Sequence, residues 1–187
     1  ATFEAISEVA DEAGIIGIGI GGFEAENPPE LFVDVFRRAR EAGFHLTAHA
    51  GEADGPASVW GAINSLKVER IGHGVRSVED PALVDYLVEH QLPLEVCPTS
   101  NLRTGVVSDW ESHPARTLIE AGALVTVNTD DPAMFHSSLA GEFRVLEEIF
   151  GLDEKAIKRI SLAPVEASFG SAESKQRLRD RITTWWS

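Results

Sequence analysis

Five short apolar runs, separated by helix-like segments, constrain the fold of this chain more than any other feature. Most of these runs are largely apolar rather than strictly alternating, which is typical of strands buried on both faces of a parallel sheet. Strands that alternate with helices around such a sheet define the α/β class. The predicted strands are residues 14–20, 44–48, 69–72, 92–97 and 123–128.

Helical patterns fill the intervals between these strands and continue after the last one. Residues 1–13, for example, repeat apolar positions along one helical face. No linker, low-complexity tract or shift in composition divides the chain, so residues 1–187 are predicted to form one domain. The other predicted helices are residues 28–42, 56–66, 80–90, 114–121, 139–150, 153–167 and 172–186.

Residues capable of chemistry follow four of the predicted strands. In an α/β barrel the site is built from the carboxyl ends of several strands, whereas a doubly wound sheet gathers it at one switch point. The glycine-rich residues 17–22 lie inside a strand pattern and are a weak dinucleotide signal. We therefore predict a TIM-type (β/α)8 barrel. The groups are His49 with Glu52, His73, a loop beginning at residues 98–101, and Asp130 with Asp131.

Charge and composition exclude several classes of partner. A formal net charge of −14 disfavours nucleic acid and anionic membranes, because phosphate binding needs clustered Lys and Arg. No apolar run approaches the roughly 18 residues of a membrane span, and no signal peptide is visible. The single cysteine, Cys97, cannot form an internal disulfide, which fits a reducing compartment. We expect a cytoplasmic protein.

His49 and Glu52 form the first candidate site. Small residues flank His49 and leave room for a metal or ligand. A neutral imidazole is a good zinc ligand, and a nearby carboxylate that does not bind the metal commonly carries protons in metal-assisted hydrolysis. The alternative is a core histidine bonded to a backbone carbonyl, followed by a glutamate that caps a helix.

His73 and the pair Asp130 and Asp131 form two further candidates. His73 stands between two glycines, and its ordinary pKa suits a base near neutral pH. Two adjacent carboxylates after a buried strand are unfavourable unless they are paired or bound to a metal. The alternatives are a turn histidine, and an N-cap aspartate for a helix that starts at Pro132.

Four segments together closely resemble the adenosine deaminase family, and their order along the chain matches as well. The resemblance covers essentially the whole chain, and four such motifs in order are highly specific. The segments are residues 49–52 (HAGE), 70–74 (RIGHG), 97–101 (CPTSN) and 128–132 (NTDDP).

The resemblance implies roles for individual residues. His49 and Asp130 would be ligands of one catalytic zinc ion. Glu52 would protonate the purine ring nitrogen beside the carbon under attack, and His73 and Asp131 would orient and deprotonate the attacking water.

Two residues would bind the purine nucleoside substrate. The backbone amide of Gly22 would meet the far ring nitrogen of the purine, and Asp131 would also contact the substrate. The family more often has an acid where Phe23 stands.

One departure from the family pattern concerns the metal. Family members begin with a strand that carries a His-x-His pair, which supplies two further zinc ligands, and no His-x-His occurs in these 187 residues. The pattern covers about five of the eight strands of a barrel. We therefore expect a carboxyl-terminal fragment that binds zinc weakly, is nearly inactive alone, and associates through its exposed sheet edges.

Three functions remain open at this point. The first is deamination of adenosine or a related nucleoside, which Gly72 favours because adenine-specific relatives tend to carry an acid there. The second is deamination of adenine or aminodeoxyfutalosine, since residues 99–101 and the Gly55-Pro56 step resemble bacterial branches. The third is a non-catalytic remnant that binds purines or a partner chain.

Overall fold

A parallel sheet of five strands organises the computed structural model, which describes residues 2–186. The strands follow one another in the sheet in chain order, each parallel to the next. The predicted α/β class and its five strands are therefore confirmed. They are β1 (Gly17–Ile20), β2 (His45–Ala50), β3 (Arg70–His73), β4 (Leu94–Val96) and β5 (Val125–Val127).

Helices connect the strands and follow the last one, as predicted. Short 3-10 segments cover Pro29–Phe32 and Val75–Glu79, and π-helical turns cover Ala62–Leu66 and Val145–Ile149. Ala1, in the first predicted helix, and Ser187 lie outside the described residues. The α-helices are α1 (Thr2–Ala13), α2 (Val33–Glu41), α3 (Pro56–Gly61), α4 (Pro81–His90), α5 (Pro98–Arg103), α6 (Ala115–Ala121), α7 (Pro132–Phe135), α8 (Leu139–Arg144), α9 (Glu154–Ala167) and α10 (Ala172–Trp185).

One segment differs from its prediction. Residues 98–101 were expected to begin a loop, but they form the first turn of α5. Pro98 occupies the first helical position, where its missing N–H has no partner to lose and its fixed φ suits the helix. The strand β4 therefore passes almost directly into a helix, which brings the side chains of that turn to the sheet edge.

The two faces of the sheet differ in character. Along β2, Leu46, Ala48 and Ala50 are buried in the core beneath the helices, whereas His45 and His49 lie on the opposite face. Side chains alternate across a strand, so this single strand contributes both to the core and to a more open polar face.

The strand register aligns the predicted site residues. His49 pairs with Gly72 and Ala50 with His73, while Gly72 pairs with Glu95 on the next strand. Because all strands run in one direction, their carboxyl ends meet at one edge of the sheet. The loops after β2, β3, β4 and β5 are thereby gathered around a common region.

No helix among residues 2–186 is both long enough and apolar enough to cross a membrane.

Candidate active site

His49 lies near the end of β2 on the open face of the sheet. It lines a cavity of about 540 Å³ together with residues at the ends of β3, β4 and β5, a volume in the range of small-molecule sites. A Cβ built on the neighbouring Gly72 would lie only 2.7 Å from His49 Cδ2. A glycine at position 72 therefore leaves the space that the imidazole occupies.

His73 ends β3 and is almost completely buried. Its backbone is left-handed, with φ of 62°. The amide nitrogen of Asn101 lies 3.2 Å from His73 Nδ1, so with the amide donating, the neutral ring carries its proton on Nε2. Burial, followed by repulsion from His49, lowers the pKa of His73 to about 4. At neutral pH the ring is therefore uncharged.

Glu52 faces His73 across the site, with Oε2 3.5 Å from His73 Nε2. Its side chain is 18% exposed. Burial raises the pKa of Glu52 to about 7, and the negative charges of Glu24 and Asp130 act in the same direction. A carboxyl group that holds its proton near neutral pH is suited to general acid catalysis.

Asp130 follows β5 in a left-handed conformation, with φ of 54°. Its Oδ2 accepts a hydrogen bond of 2.6 Å from Ser100 Oγ and lies 4.0 Å from His73 Nε2. The hydroxyl of Ser100 thus holds the carboxylate at the cavity. The structure brings His49, Glu52, His73 and Asp130 to one edge of the sheet, as the sequence predicted.

Asp131 and Gly22 lie in other settings. The Asp131 side chain accepts a hydrogen bond of 3.1 Å from the Met134 amide and caps α7, which was the structural alternative for this residue. Gly22 follows β1 and lines a second cavity, which it shares with His49. The predicted contacts of Asp131 with water or substrate and of Gly22 with substrate stay predictions.

Among residues 2–186, side chains able to hold a metal ion occur as two sets that share His73. His49, Glu52 and His73 have ligand atoms within 4.8 Å of one another, and so do His73, Cys97 and Asp130. Burial raises the pKa of the Cys97 thiol to about 12, so this thiol is protonated at neutral pH. Imidazole and carboxylate suit zinc, so the donor chemistry fits. However, the predicted ligands His49 and Asp130 supply only part of the usual three.

A buried carboxylate that the sequence did not single out holds the loop after β2. Glu24 is only 7% exposed and accepts hydrogen bonds from the amides of Gly51, Glu52 and Asp54 and from the Ser58 hydroxyl. It stands two residues after Gly22 in a segment rich in glycine and glutamate. No local pattern distinguishes it from the exposed glutamates nearby.

Asn101 and Ser100 also support the site, and here a signal existed. Both belong to residues 97–101, one of the four segments that resemble the family, but the sequence alone assigns neither of them a role. Their contacts with His73 and Asp130 show that this segment orients two candidate residues at once.

Comparison with protein families and curated proteins identifies relatives along nearly the whole chain. Residues 1–185 match the family model described as adenosine deaminase. The aminodeoxyfutalosine deaminase of Streptomyces avermitilis is 42% identical over 172 residues, which are 92% of this chain and 48% of that protein. The adenosine deaminase of Escherichia coli O1:K1 is 43% identical over 168 residues, 90% of this chain and 50% of that protein.

Solved structures give the same picture. An adenine deaminase from Arthrobacter aurescens superposes with a TM-score of 0.92 at 35% identity, covering 98% of this chain and 56% of that one. An amidohydrolase from Burkholderia ambifaria with bound Zn superposes with a TM-score of 0.88 at 30% identity, covering 97% and 52%.

This chain spans about half the length of the relatives that it matches. Its five parallel strands with their helices fit part of the barrel of the matched deaminases, which confirms the predicted fold class. Because the family model covers residues 1–185, the chain belongs to the adenosine deaminase family.

Proposed function

We propose that the protein catalyses zinc-dependent hydrolytic deamination of adenosine or a related adenine nucleoside. In this proposal residues 1–187 form a single domain, the carboxyl-terminal part of a (β/α)8 barrel. The observation that carries the proposal is the pairing of Glu52 with His73, which lines the cavity; their facing groups lie 3.5 Å apart. One is an acid with a pKa near neutrality and the other is an uncharged imidazole.

Glu52 is the proton carrier in the proposed reaction. Its carboxyl group donates a proton to the purine ring nitrogen, which makes the adjacent carbon more electrophilic. Water adds to that carbon, and the amino group leaves as ammonia, so that the purine gains a carbonyl oxygen. A pKa of about 7 keeps a substantial fraction of Glu52 protonated at neutral pH.

His73 orients the attacking oxygen. With the Asn101 amide donating to Nδ1, the Nε2–H of His73 can donate a hydrogen bond into the cavity. Since the ring is neutral, it adds no positive charge that would repel a metal ion. The further role of His73 as a base, shared with Asp131, requires the other tautomer, in which Nε2 is unprotonated, and rests on family resemblance.

His49 and Asp130 would hold the metal. When bound, zinc supplies Lewis acidity and lowers the pKa of water toward neutrality. The bound Zn of the Burkholderia amidohydrolase supports this choice of ion. Gly22 and Asp131 are proposed to contact the substrate, Gly22 through its backbone amide in the cavity that it shares with His49.

Aminodeoxyfutalosine is the second candidate substrate. The Streptomyces relative that carries this name is 42% identical to the chain, almost the same as the 43% of the adenosine deaminase. A substrate panel of adenine, adenosine, deoxyadenosine and aminodeoxyfutalosine, scored by kcat/KM for ammonia release, separates the candidates. Preference for free adenine would contradict the nucleoside assignment.

The decisive test is Glu52→Gln in the intact protein. We expect turnover to fall by about 100-fold or more, as for loss of a general acid, while zinc content measured by atomic absorption stays unchanged. Glu30→Gln serves as control, because Glu30 is an exposed glutamate that contacts the Ser65 hydroxyl. Retained activity in Glu52→Gln would show that Glu52 is not the proton carrier.

A further inference from the structure

Glu24 has an unusual set of partners for a single carboxylate. Its Oε2 accepts hydrogen bonds from Gly51 N at 3.0 Å, Asp54 N at 3.2 Å and Ser58 Oγ at 3.2 Å, and its Oε1 accepts one from Glu52 N at 3.1 Å. Three amides of one loop and one side-chain hydroxyl thus donate to a single buried carboxylate. Hydrogen bonds to a charged acceptor are about twice as strong as neutral ones.

The segment that Glu24 holds has no regular structure of its own. Residues 51–54 form bends between β2 and α3, so their amides lack the partners that a helix or strand would supply. The carbonyl side of this loop is held by Arg76, whose backbone amide bonds to Gly51 O at 2.9 Å and whose guanidinium bonds to Ala53 O at 3.1 Å. The loop is therefore fixed from two sides, with Glu24 on the amide side.

Close packing around Gly51 restricts the conformations that the loop can adopt. Gly51 has a φ of +67°, and a Cβ there would lie 2.5 Å from Val59 Cγ2 and 3.4 Å from Gly74 Cα. The loop thus rests against the backbone that follows β3, one residue beyond His73. A shift of the loop would change the distance between the Glu52 and His73 side chains.

We propose that Glu24 is a positioning residue for Glu52, which fixes the 51–54 loop so that the Glu52 carboxyl group points at His73 and the cavity. The inference rests on the proposed function, because Glu52 is there the proton carrier. Glu24 also stands two residues after Gly22. It therefore ties the segment proposed to bind the purine to the loop proposed to protonate it.

The main variant is Glu24→Gln in the intact protein. The amide keeps the volume of the carboxylate but replaces one acceptor oxygen by a donor nitrogen, so at least one of the loop amides loses its acceptor. We expect kcat to fall by about 10- to 100-fold, the range for a misplacement of roughly 1 Å. KM and zinc content should stay close to the wild-type values, while the melting temperature should fall by a few degrees because a buried amide loses its acceptor. Glu30→Gln is the matched control and should leave kcat unchanged.

A double-mutant cycle separates positioning from a general structural effect. If Glu24 acts through Glu52, then Glu24→Gln should cause no further loss of kcat in a Glu52→Gln background. An equal loss in both backgrounds would overturn the inference, and so would full activity of Glu24→Gln alone. If Glu24→Gln does not fold, Glu24→Asp, which withdraws the carboxylate by one methylene, carries the same cycle.

Amide hydrogen exchange gives a readout that does not depend on activity. In Glu24→Gln the amides of Gly51, Glu52 and Asp54 should exchange at least tenfold faster, while those of β3 keep the parent rates. If the parent deaminates none of the purines in the panel, the proposed function fails. In that case hydrogen exchange alone tests whether Glu24 fixes the loop, and unchanged exchange rates at these three amides would overturn the inference.

Discussion

The substitution Gly72→Ala adds one methyl group to the interior of the site. Gly72 pairs with His49 across the two strands, and the new Cβ would lie 2.7 Å from His49 Cδ2, 3.1 Å from Cγ and 3.3 Å from Cα. Carbon atoms in contact prefer about 3.5–4.0 Å. The methyl group and the imidazole therefore cannot both keep their positions.

The imidazole is the part that can give way. The backbone of both residues is fixed by the parallel ladder between β2 and β3, whereas the His49 side chain borders an open cavity. The ring must move by about 1 Å to restore contact distance. Overpacking of this kind costs about 1–3 kcal/mol in a closed core, and we expect the low end because the ring can rotate.

The cost to function should exceed the cost to stability. Displacing a ligand by about 1 Å lowers activity by roughly 100-fold, and disturbed ligand orientation lowers metal affinity by about 10- to 100-fold. Zinc affinity is measured by competition with a chromophoric chelator, and kcat/KM with the preferred nucleoside.

Gly170→Ala is the control for Gly72→Ala. Gly170 is exposed, and a Cβ there would come no nearer than 3.5 Å to Ser168 Oγ. Both zinc affinity and kcat/KM should stay at the parent values. If Gly72→Ala also stays within twofold of the parent in both measurements, the placement of His49 as a ligand is wrong.

Three further predictions concern the residues that support the site and the core. Ser100→Ala removes the 2.6 Å hydrogen bond to Asp130 and should lower zinc affinity, measured by chelator competition, by about 10- to 100-fold. Unchanged affinity would show that Ser100 does not orient Asp130 as a zinc ligand. Asn101→Leu removes the contact with His73 Nδ1 and should lower kcat with little change in KM, whereas a change in KM alone would contradict an orienting role. Burial lowers the pKa of His113 from 6.5 to about 4 in the folded protein. Above pH 6.5 the imidazole is uncharged in both the folded and the unfolded chain, so the free energy of unfolding keeps its full value there. As the pH falls toward 4, the unfolded chain takes up a proton that the folded protein does not, and the free energy of unfolding should drop by up to about 3 kcal/mol. Urea titrations of His113→Gln should show a smaller drop in the free energy of unfolding over this pH range than the wild type shows. An equal drop would refute the lowered pKa of His113.

The sequence predicted the parallel sheet and the meeting of His49, Glu52, His73 and Asp130 because both follow from local patterns. Continuous apolar runs indicate strands buried on two faces, and parallel strands place their carboxyl ends at one edge. Once the strands are known, the residues that follow them must lie near one another. The distance between Glu52 and His73 is a consequence of this topology.

Glu24 could not be predicted in the same way. Its partners lie 27 to 34 residues further along the chain, and its neighbours Phe23, Glu26 and Asn27 give no periodicity that would mark it as buried. The start of α5 at Pro98 was missed for a related reason. A proline after a strand begins a turn or a helix equally well, and the packing that decides between them is tertiary.

Backbone conformation offers a separate reason to place the site at His73 and Asp130. Among residues 2–186, five residues other than glycine have a left-handed backbone. Three of them follow the last residue of a helix, where this conformation is common: Lys67, Gln91 and His136.

His73 and Asp130 lack that explanation. They stand at or just after the ends of β3 and β5, and a left-handed non-glycine residue costs on the order of 1–3 kcal/mol unless its surroundings impose it. One turn of α5 contacts the side chains of both, through Asn101 for His73 and Ser100 for Asp130. That turn is itself tied by the buried Glu142, which accepts a hydrogen bond from the Thr99 amide.

Two buried glutamates therefore act in a similar way in this fold, because each accepts hydrogen bonds from a segment that carries site residues. Glu24 fixes the loop that carries Glu52, and Glu142 fixes the helical turn that constrains His73 and Asp130. Burying a carboxylate is unfavourable unless it is well bonded, so a stable fold alone would be served as well by apolar residues. Glu24 bonds the loop that carries Glu52, and Glu142 bonds the turn that carries Ser100 and Asn101, so both carboxyl groups hold segments that form the site.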